Sequence, residues 1–283
     1  MQTVATVADL RQQLSLWKAQ GERIVLVPTM GNLHEGHLAL VRHAARCGSK
    51  IVCTIFVNSL QFDRQEDLAA YPRTPREDLH ALRCENTDLV FMPEHAEVYA
   101  EQHRVQKSLP VNPLYRQLCG KYRPGFFDGV AEVVSRLFHM TDPDVAVFGE
   151  KDYQQLLIIK QLVRDLGLAI EIEQVPTQRE HDGLAFSSRN AYLEPQERAM
   201  APQLYAELVR VGERIKSGLR TFSQMESQAT ERLQRAGFRP DYVAIRDAET
   251  LENAAYEADN IVILAAAWLG KARLIDNIAV RPG

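Results

Sequence analysis

Short β-branched runs, each followed by a polar, glycine-bearing turn and then by a segment of helical periodicity, constrain this chain most. Ile24–Pro28 reads IVLVP, and Ile51–Val57 reads IVCTIFV. Continuous apolar runs of this length suit strands buried on both faces of a parallel sheet. Between them, Leu38, Leu40, Val41, Ala44 and Ala45 recur at helical spacing across Gly36–Cys47. The alternation continues. Thr74 is placed to cap a helix with Pro75 in its first turn, running to about Glu85. Asp88–Met92 reads as a strand, Asp128–Met140 as a helix, Asp144–Phe148 as a strand, Glu150–Leu166 as a helix and Ala169–Val175 as a strand. This order predicts the α/β class, with a doubly wound, Rossmann-like parallel sheet. Ligands of such sheets bind beyond the carboxyl ends of the strands, where the strand order switches.

After Pro176 the pattern changes. Glu194–Lys216 and Phe222–Ala236 read as helices, and Asp241–Arg246, Ile261–Trp268 and Ala272–Ala279 as strands. A short glycine-containing turn at Leu269–Lys271 joins the last pair. The expected organisation is therefore a Rossmann-like domain over residues 1–176 and a smaller α+β domain over residues 177–283.

Composition narrows the function classes. Hydrophobic residues make up 46% of the 283 residues and charged residues 25%, which excludes a disordered or collagen-like chain. The formal net charge of −4 gives no reason to expect nucleic acid or an anionic membrane as partner. Ile51–Val57 and Ile261–Leu269, the longest apolar runs, fall far short of the ~20 residues of a membrane helix. MQTVATVADLRQQL has no basic segment leading into an apolar one, so no secretory signal is expected. Cys47, Cys53, Cys84 and Cys119 form no CxxC pair, and the expected location is the cytoplasm.

Polar clusters follow the predicted strands. Pro28-Thr29-Met30-Gly31-Asn32-Leu33-His34-Glu35-Gly36-His37 runs from a strand end into a helix start. A helix N-terminus offers free N–H groups and a positive dipole end, which suits phosphate. Gly31 and Gly36 let a ligand approach the backbone. His34 and His37 are three apart and can share one side of the first turn. Zinc is a rival reading, yet a zincin helix needs HExxH, with histidines four apart, and HEGH spaces them by three. Two histidines that merely cap a helix are the other alternative.

Phe148-Gly149-Glu150-Lys151-Asp152-Tyr153-Gln154-Gln155 is a second such junction. Glu150 and Asp152 fit the first-turn preference for acids, whereas a cation there opposes the dipole. Lys151 therefore reads as facing an anion. In Arg179–Asn190, Ser187, Ser188 and Arg189 are natural donors to a polyphosphate, against the alternative of a solvated turn. In Phe56-Val57-Asn58-Ser59-Leu60-Gln61-Phe62, Asn58 and Gln61 suit a small polar substrate with an apolar body, or else a capped loop.

Taken together, PTMGNLHEGH, FVNSLQFDR, YPRTPREDL, LCGKYRPGFFDGV, FGEKDYQQL, DGLAFSSRN and LGKARLIDN resemble, in this order and over nearly the whole chain, the pantothenate synthetase (pantoate–β-alanine ligase) family of the HxGH nucleotidyltransferase-like group. The resemblance implies an ATP-dependent ligase. The pantoate carboxylate attacks the α-phosphorus of ATP, giving pantoyl adenylate and pyrophosphate. The β-alanine amine then attacks the activated carbonyl, releasing AMP and pantothenate.

It also implies roles at matching positions. His34 and His37 contact ATP phosphates, with His37 as proton donor. Pro28, Thr29, Met30, Gly31 and Gly36 line the nucleotide site, and Met30 also lines the pantoate pocket. Gln61 and Gln155 hold pantoate with Asn58 nearby, and Gln61 also meets β-alanine. Gly149, Glu150, Lys151 and Asp152 bind ATP, with Lys151 on phosphate. Ser187, Ser188 and Arg189 clamp the phosphates from the smaller, lid-like domain, beside Gln178 and Phe186. Lys151 and Arg189 join the histidines as catalytic candidates. Mg²⁺ is expected with ATP, Asp78 near it, and the assembly is expected to be a homodimer.

Three positions depart from the family pattern: Ser59 where proline is usual, Phe126 where histidine is usual and Trp268 where arginine is common. Serine is expected to loosen the turn at Asn58–Gln61. Phenylalanine removes any side-chain hydrogen bond at its position. Two other functions compete: a different HxGH nucleotidyltransferase with a phosphorylated acceptor, and a non-catalytic nucleotide-binding relative.

Overall fold

In the computed structural model, which describes residues 1–62, 68, 69, 71–103 and 112–281, the predicted runs form the sheet. The Asp63–Arg64 end of FVNSLQFDR and the last two residues of the expected second domain lie outside the described residues. The strands are β1 (Gln2–Val4), β2 (Ile24–Thr29), β3 (Lys50–Ile55), β4 (Leu89–Phe91), β5 (Val145–Gly149) and β6 (Glu171–Val175). They form a six-stranded sheet in the order β1-β4-β3-β2-β5-β6, parallel throughout. Ile24, Val25, Leu26 and Val27 are fully buried, which is why β2 reads as an unbroken apolar run instead of alternating. The chain leaves β2 for β3 and β4 on one side and returns to β5 and β6 on the other. The order therefore switches at the carboxyl ends of β2 and β5, where HEGH and FGEKD begin.

Helices cover the sheet. Glu35–Cys47 buries Leu40, Val41 and Ala44. These pack in one cluster with Val25, Val27, Cys53, Val145 and Val147. Phe126–Thr141 is buried along most of its length, and Tyr153–Leu166 follows β5. No helix among the described residues is long and apolar enough to cross a membrane.

Contacts divide the chain into two units. The first holds Met1–Glu150 with Gln155–Pro176, and the second holds Lys151–Gln154 with Thr177–Gly283. The second contains an antiparallel three-stranded sheet of β7 (Arg239–Asp247), β8 (Ile261–Leu269) and β9 (Ala272–Val280). Its core joins Leu204, Leu208 and Val211 to Ile263, Ala265 and Leu274.

Local differences from expectation have simple causes. β1 and the helix Val7–Ala19 carry weak sequence signals, since β1 has three residues and buries only Val4. Glu194–Lys216 is two helices, Pro195–Met200 and Gln203–Lys216. The break falls at Pro202, whose ring cannot continue a helix. The expected helix from Glu150 begins as a 3-10 turn, Glu150–Asp152, and becomes α-helical at Tyr153.

Candidate active site

The turn after β2 is built from backbone bonds that only this sequence allows. Gly31 has φ 79 and Asn32 φ 50, both left-handed. A Cβ on Gly31 would sit 3.1 Å from both Asp78 Oδ2 and Ile55 Cγ2, so glycine is required for space as well as for φ. The Thr29 hydroxyl donates to the Thr54 carbonyl at 2.7 Å and accepts from Gly31 N–H at 3.3 Å.

Asp78 closes the turn. Its carboxylate is 2% exposed. Oδ2 accepts Asn32 N–H at 2.9 Å, while Oδ1 accepts Leu33 N–H at 2.8 Å and the Thr74 hydroxyl at 3.1 Å. Asp78 was expected near magnesium. Here both its oxygens hold the loop. The same bonds explain why Thr74 does not cap its own helix: no cap bond comes from its side chain, and its hydroxyl points at Asp78.

The histidines follow directly. His34 is extended at the N-cap of Glu35–Cys47. The His34 and His37 rings stack with centroids 4.0 Å apart and planes 28° apart. His37 Nδ1 accepts the His34 backbone N–H at 3.3 Å. An accepting Nδ1 leaves the neutral ring's proton on Nε2, which makes Nε2–H a hydrogen-bond donor. Donor, helix amides and dipole are thus collected at the carboxyl end of β2.

The turn after β3 is tied down on every side. Asn58 is 1% exposed. Its Oδ1 accepts the Tyr99 hydroxyl at 2.6 Å and Leu60 N–H at 3.3 Å, and its Nδ2 donates to the Gly129 carbonyl at 3.0 Å. Asn58, expected beside the substrate, therefore anchors the turn that carries Gln61. Burial pushes the Tyr99 hydroxyl well above its ordinary value, with Glu132 adding to the rise, so it remains a donor. Arg123 donates to the Gln61 carbonyl at 2.8 Å. The Gln61 side chain is 9% exposed, and its amide has no hydrogen-bond partner among the described residues. Ser59, expected to loosen the turn, bonds His95 Nε2 at 3.1 Å. Phe126 lies 3.7 Å beneath the Arg123 guanidinium, and Trp268 lies 5.5 Å from Arg239.

In the second unit, Lys151 is half-buried, and its carbonyl accepts Asn277 Nδ2 at 3.0 Å. Burial lowers the Lys151 ammonium pKa; Asp152 and Asp276 oppose the fall, and Arg189 adds to it. Ser187 accepts Arg189 N–H at 3.2 Å, which starts the 3-10 turn Ser188–Tyr192. Asn190 fixes that turn through Glu180 and the Ala185 carbonyl, each at 3.1 Å. Two other arginines in this unit are neutralised: Arg179 holds Asp276 at 2.6 and 2.9 Å, and Arg198 holds Glu180 and Asp182. Among the described residues neither Lys151 nor Arg189 has an ion-pair partner. Two half-buried cations without ion-pair partners are chemically suited to an anion.

The remaining predicted residues take their places on these elements. Pro28 and Met30 flank Thr29 at the end of β2, and Gly36 lies in the first turn of the following helix. Gly149 ends β5, Glu150 accepts Gln174 Nε2 at 2.9 Å, and Gln155 lies in the first turn of Tyr153–Leu166. Phe186 N–H donates to the Gln178 carbonyl at 3.0 Å, which closes the strand-like pair beneath the Ser187–Arg189 turn. Sequence reasoning missed the clamping role of Asp78 and the Tyr99 anchor. Thr-Pro ahead of the Asp78 helix was a visible signal, but nothing local marked the partner loop.

A family model described as pantoate-beta-alanine ligase matches residues 2–279. A pantothenate synthetase from Thioalkalivibrio sulfidiphilus is 52% identical over 280 residues, covering 99% of this chain and 98% of that protein. The crystal structure of pantothenate synthetase from Thermus thermophilus superposes with a TM-score of 0.91 at 44% identity, covering 100% of both chains. Pantoate-beta-alanine ligase from Francisella tularensis, complexed with beta-gamma ATP and beta-alanine, has a TM-score of 0.79 at 30% identity, covering 98% of this chain and 97% of that one.

Proposed function

Because the chain belongs to the pantoate–β-alanine ligase family, we propose the following roles in ATP and substrate binding for residues of each unit. The activity itself is the ATP-dependent condensation of pantoate with β-alanine through pantoyl adenylate. A carboxylate is a poor acyl donor to an amine, and adenylation supplies the leaving group. Such phosphoryl-centre chemistry needs positioning and charge stabilisation more than covalent help.

In the first unit, Pro28, Thr29, Met30, Gly31 and Gly36 form the backbone cradle for the nucleotide. His34 and His37 donate to phosphate oxygens, and His37 Nε2–H supplies the proton as pyrophosphate leaves. Gly149 and Glu150 flank the nucleotide at the end of β5. Met30, Gln61 and Gln155 hold pantoate, with Asn58 fixing the turn beneath Gln61; Gln61 also receives the β-alanine amine. In the second unit, Lys151, Ser187, Ser188 and Arg189 take the phosphates, Asp152 helps set the Lys151 charge, and Gln178 and Phe186 border the nucleotide. Magnesium would accompany ATP and supply positive charge at its phosphates. The working assembly is a cytoplasmic homodimer.

The observation that carries this reading is the His37 tautomer: Nδ1 accepts from the backbone, so Nε2 carries the proton at a helix N-terminus. The test incubates the protein with ATP, pantoate and β-alanine and follows AMP. AMP release that requires both acids for turnover is expected, with pyrophosphate appearing from ATP and pantoate alone. ATP binding with no pyrophosphate release would defeat the proposed residue roles. Sedimentation equilibrium checks the dimer.

A further inference from the structure

At the far end of the helix that begins at the histidine pair, a second group of donors meets. His43 and Cys47 are one turn apart on Glu35–Cys47, and Glu173 lies on β6, at the edge of the sheet. His43 Nε2 is 2.8 Å from Glu173 Oε2. A nitrogen, a sulfur and an oxygen from the three residues all lie within 4.8 Å of one another. The helix holds them in place, because Leu40, Val41 and Ala44 are buried against the sheet. His43 and Glu173 are about one-third exposed or less, at 27% and 33%, so an ion can enter.

We propose that His43, Cys47 and Glu173 form a divalent-metal site of the zinc class, with a fourth position for water. Imidazole, thiolate and carboxylate are a borderline donor set that suits Zn²⁺ and Co²⁺ over Mg²⁺ or Ca²⁺. Tetrahedral zinc, with ligand distances of ~2.0–2.3 Å, places neighbouring donor atoms roughly 3.3–3.6 Å apart. Binding forms metal–N, metal–S and metal–O bonds, releases the Cys47 thiol proton to solvent and changes no oxidation state. The site lies roughly 9–15 Å along the helix axis from His37, at 1.5 Å per residue, so it is separate from the nucleotide loop.

His80 and Cys84 provide an internal contrast. They too are one turn apart, with Nε2 and Sγ 3.8 Å from each other, but among the described residues no third donor joins them.

The experiment titrates the intact Cys84→Ser protein with Co²⁺ and follows the thiolate-to-cobalt charge-transfer band. One equivalent of Co²⁺ should produce the band, and Zn²⁺ should abolish it. Adding Cys47→Ser should remove the band and weaken metal binding at least about tenfold, the lower range seen when supporting groups of a metal site are lost. If that variant does not fold, Glu173→Gln replaces it and should weaken binding likewise. Absence of the band at stoichiometric Co²⁺, or a band unchanged by either substitution, overturns the site.

Discussion

The loop at His34–His37 and the segment at Lys151 and Arg189 are each read as binding phosphate, yet they are built on opposite principles. The first uses neutral donors fixed by geometry: a left-handed turn, two backbone bonds to a buried carboxylate, stacked rings and one tautomer. The second uses fixed charge, two half-buried cations with no ion-pair partner among the described residues. Preorganised geometry costs little in the empty protein. Preorganised charge destabilises the empty protein and is relieved only by an anion. Substitutions should therefore fail differently in the two regions.

The largest effect is expected at His37. His37→Ala should slow pyrophosphate release on the order of 10²-fold or more, the scale of a lost general acid or oxyanion-type donor, with ATP affinity changed far less. Single-turnover kinetics separate the two; an unchanged first-step rate removes the proposed role. Lys151→Met should slow adenylate formation about 30-fold, or ~2 kcal/mol, the scale of one charge-assisted hydrogen bond. Its thermal midpoint should stay level or rise, because a desolvated cation beside Arg189 is gone. A marked loss of stability would show that Lys151 belongs to the fold.

Asp78→Asn sharpens the geometric side. The amide keeps one acceptor and turns an N–H toward another N–H, so one loop bond is lost. A rate loss of about tenfold is expected, with a stability loss of ~1–3 kcal/mol from the unpaired donor. Chemical denaturation read beside the first-step rate tests it, and a variant equal to the parent in rate would detach the loop from catalysis.

The smallest effect is in pH dependence. The folded-state pKa of Lys151 lies below its ordinary 10.5, so over that window the unfolded chain binds more protons than the folded one. Stability of the empty protein should then gain from rising pH up to about 10.5 relative to Lys151→Met. Denaturant midpoints of the two proteins across that window measure the difference, and ATP should erase it. Parallel curves would break the contrast between the two regions.

Strands whose faces are both buried announced themselves, because burial on both sides demands apolar residues without alternation. Ile24–Thr29 and Lys50–Ile55 are of this kind. β1 did not, since a three-residue edge strand with one buried side chain carries no period. The Glu194–Lys216 segment looked continuous because helical spacing on either side of Pro202 overshadowed the breaker. Within the site, HEGH and SSRN were legible as local clusters after predicted strands. The anchoring bonds of Asn58 were hidden because its partners, Tyr99 and Gly129, lie 41 and 71 residues away. The clamp at Asp78 was hidden for the same reason: it binds Asn32 and Leu33, 46 and 45 residues earlier.

The order of apolar runs, the glycine turns and the residue types placed after each strand are properties of neighbouring residues, so the sequence alone determined the sheet class and the chemistry on offer. Which polar groups remain free for a ligand is a property of their partners. Hydrogen bonds saturate: a carboxylate that holds two loop amides is a clamp. Only the tertiary structure assigned those partners, because they come from distant parts of the chain.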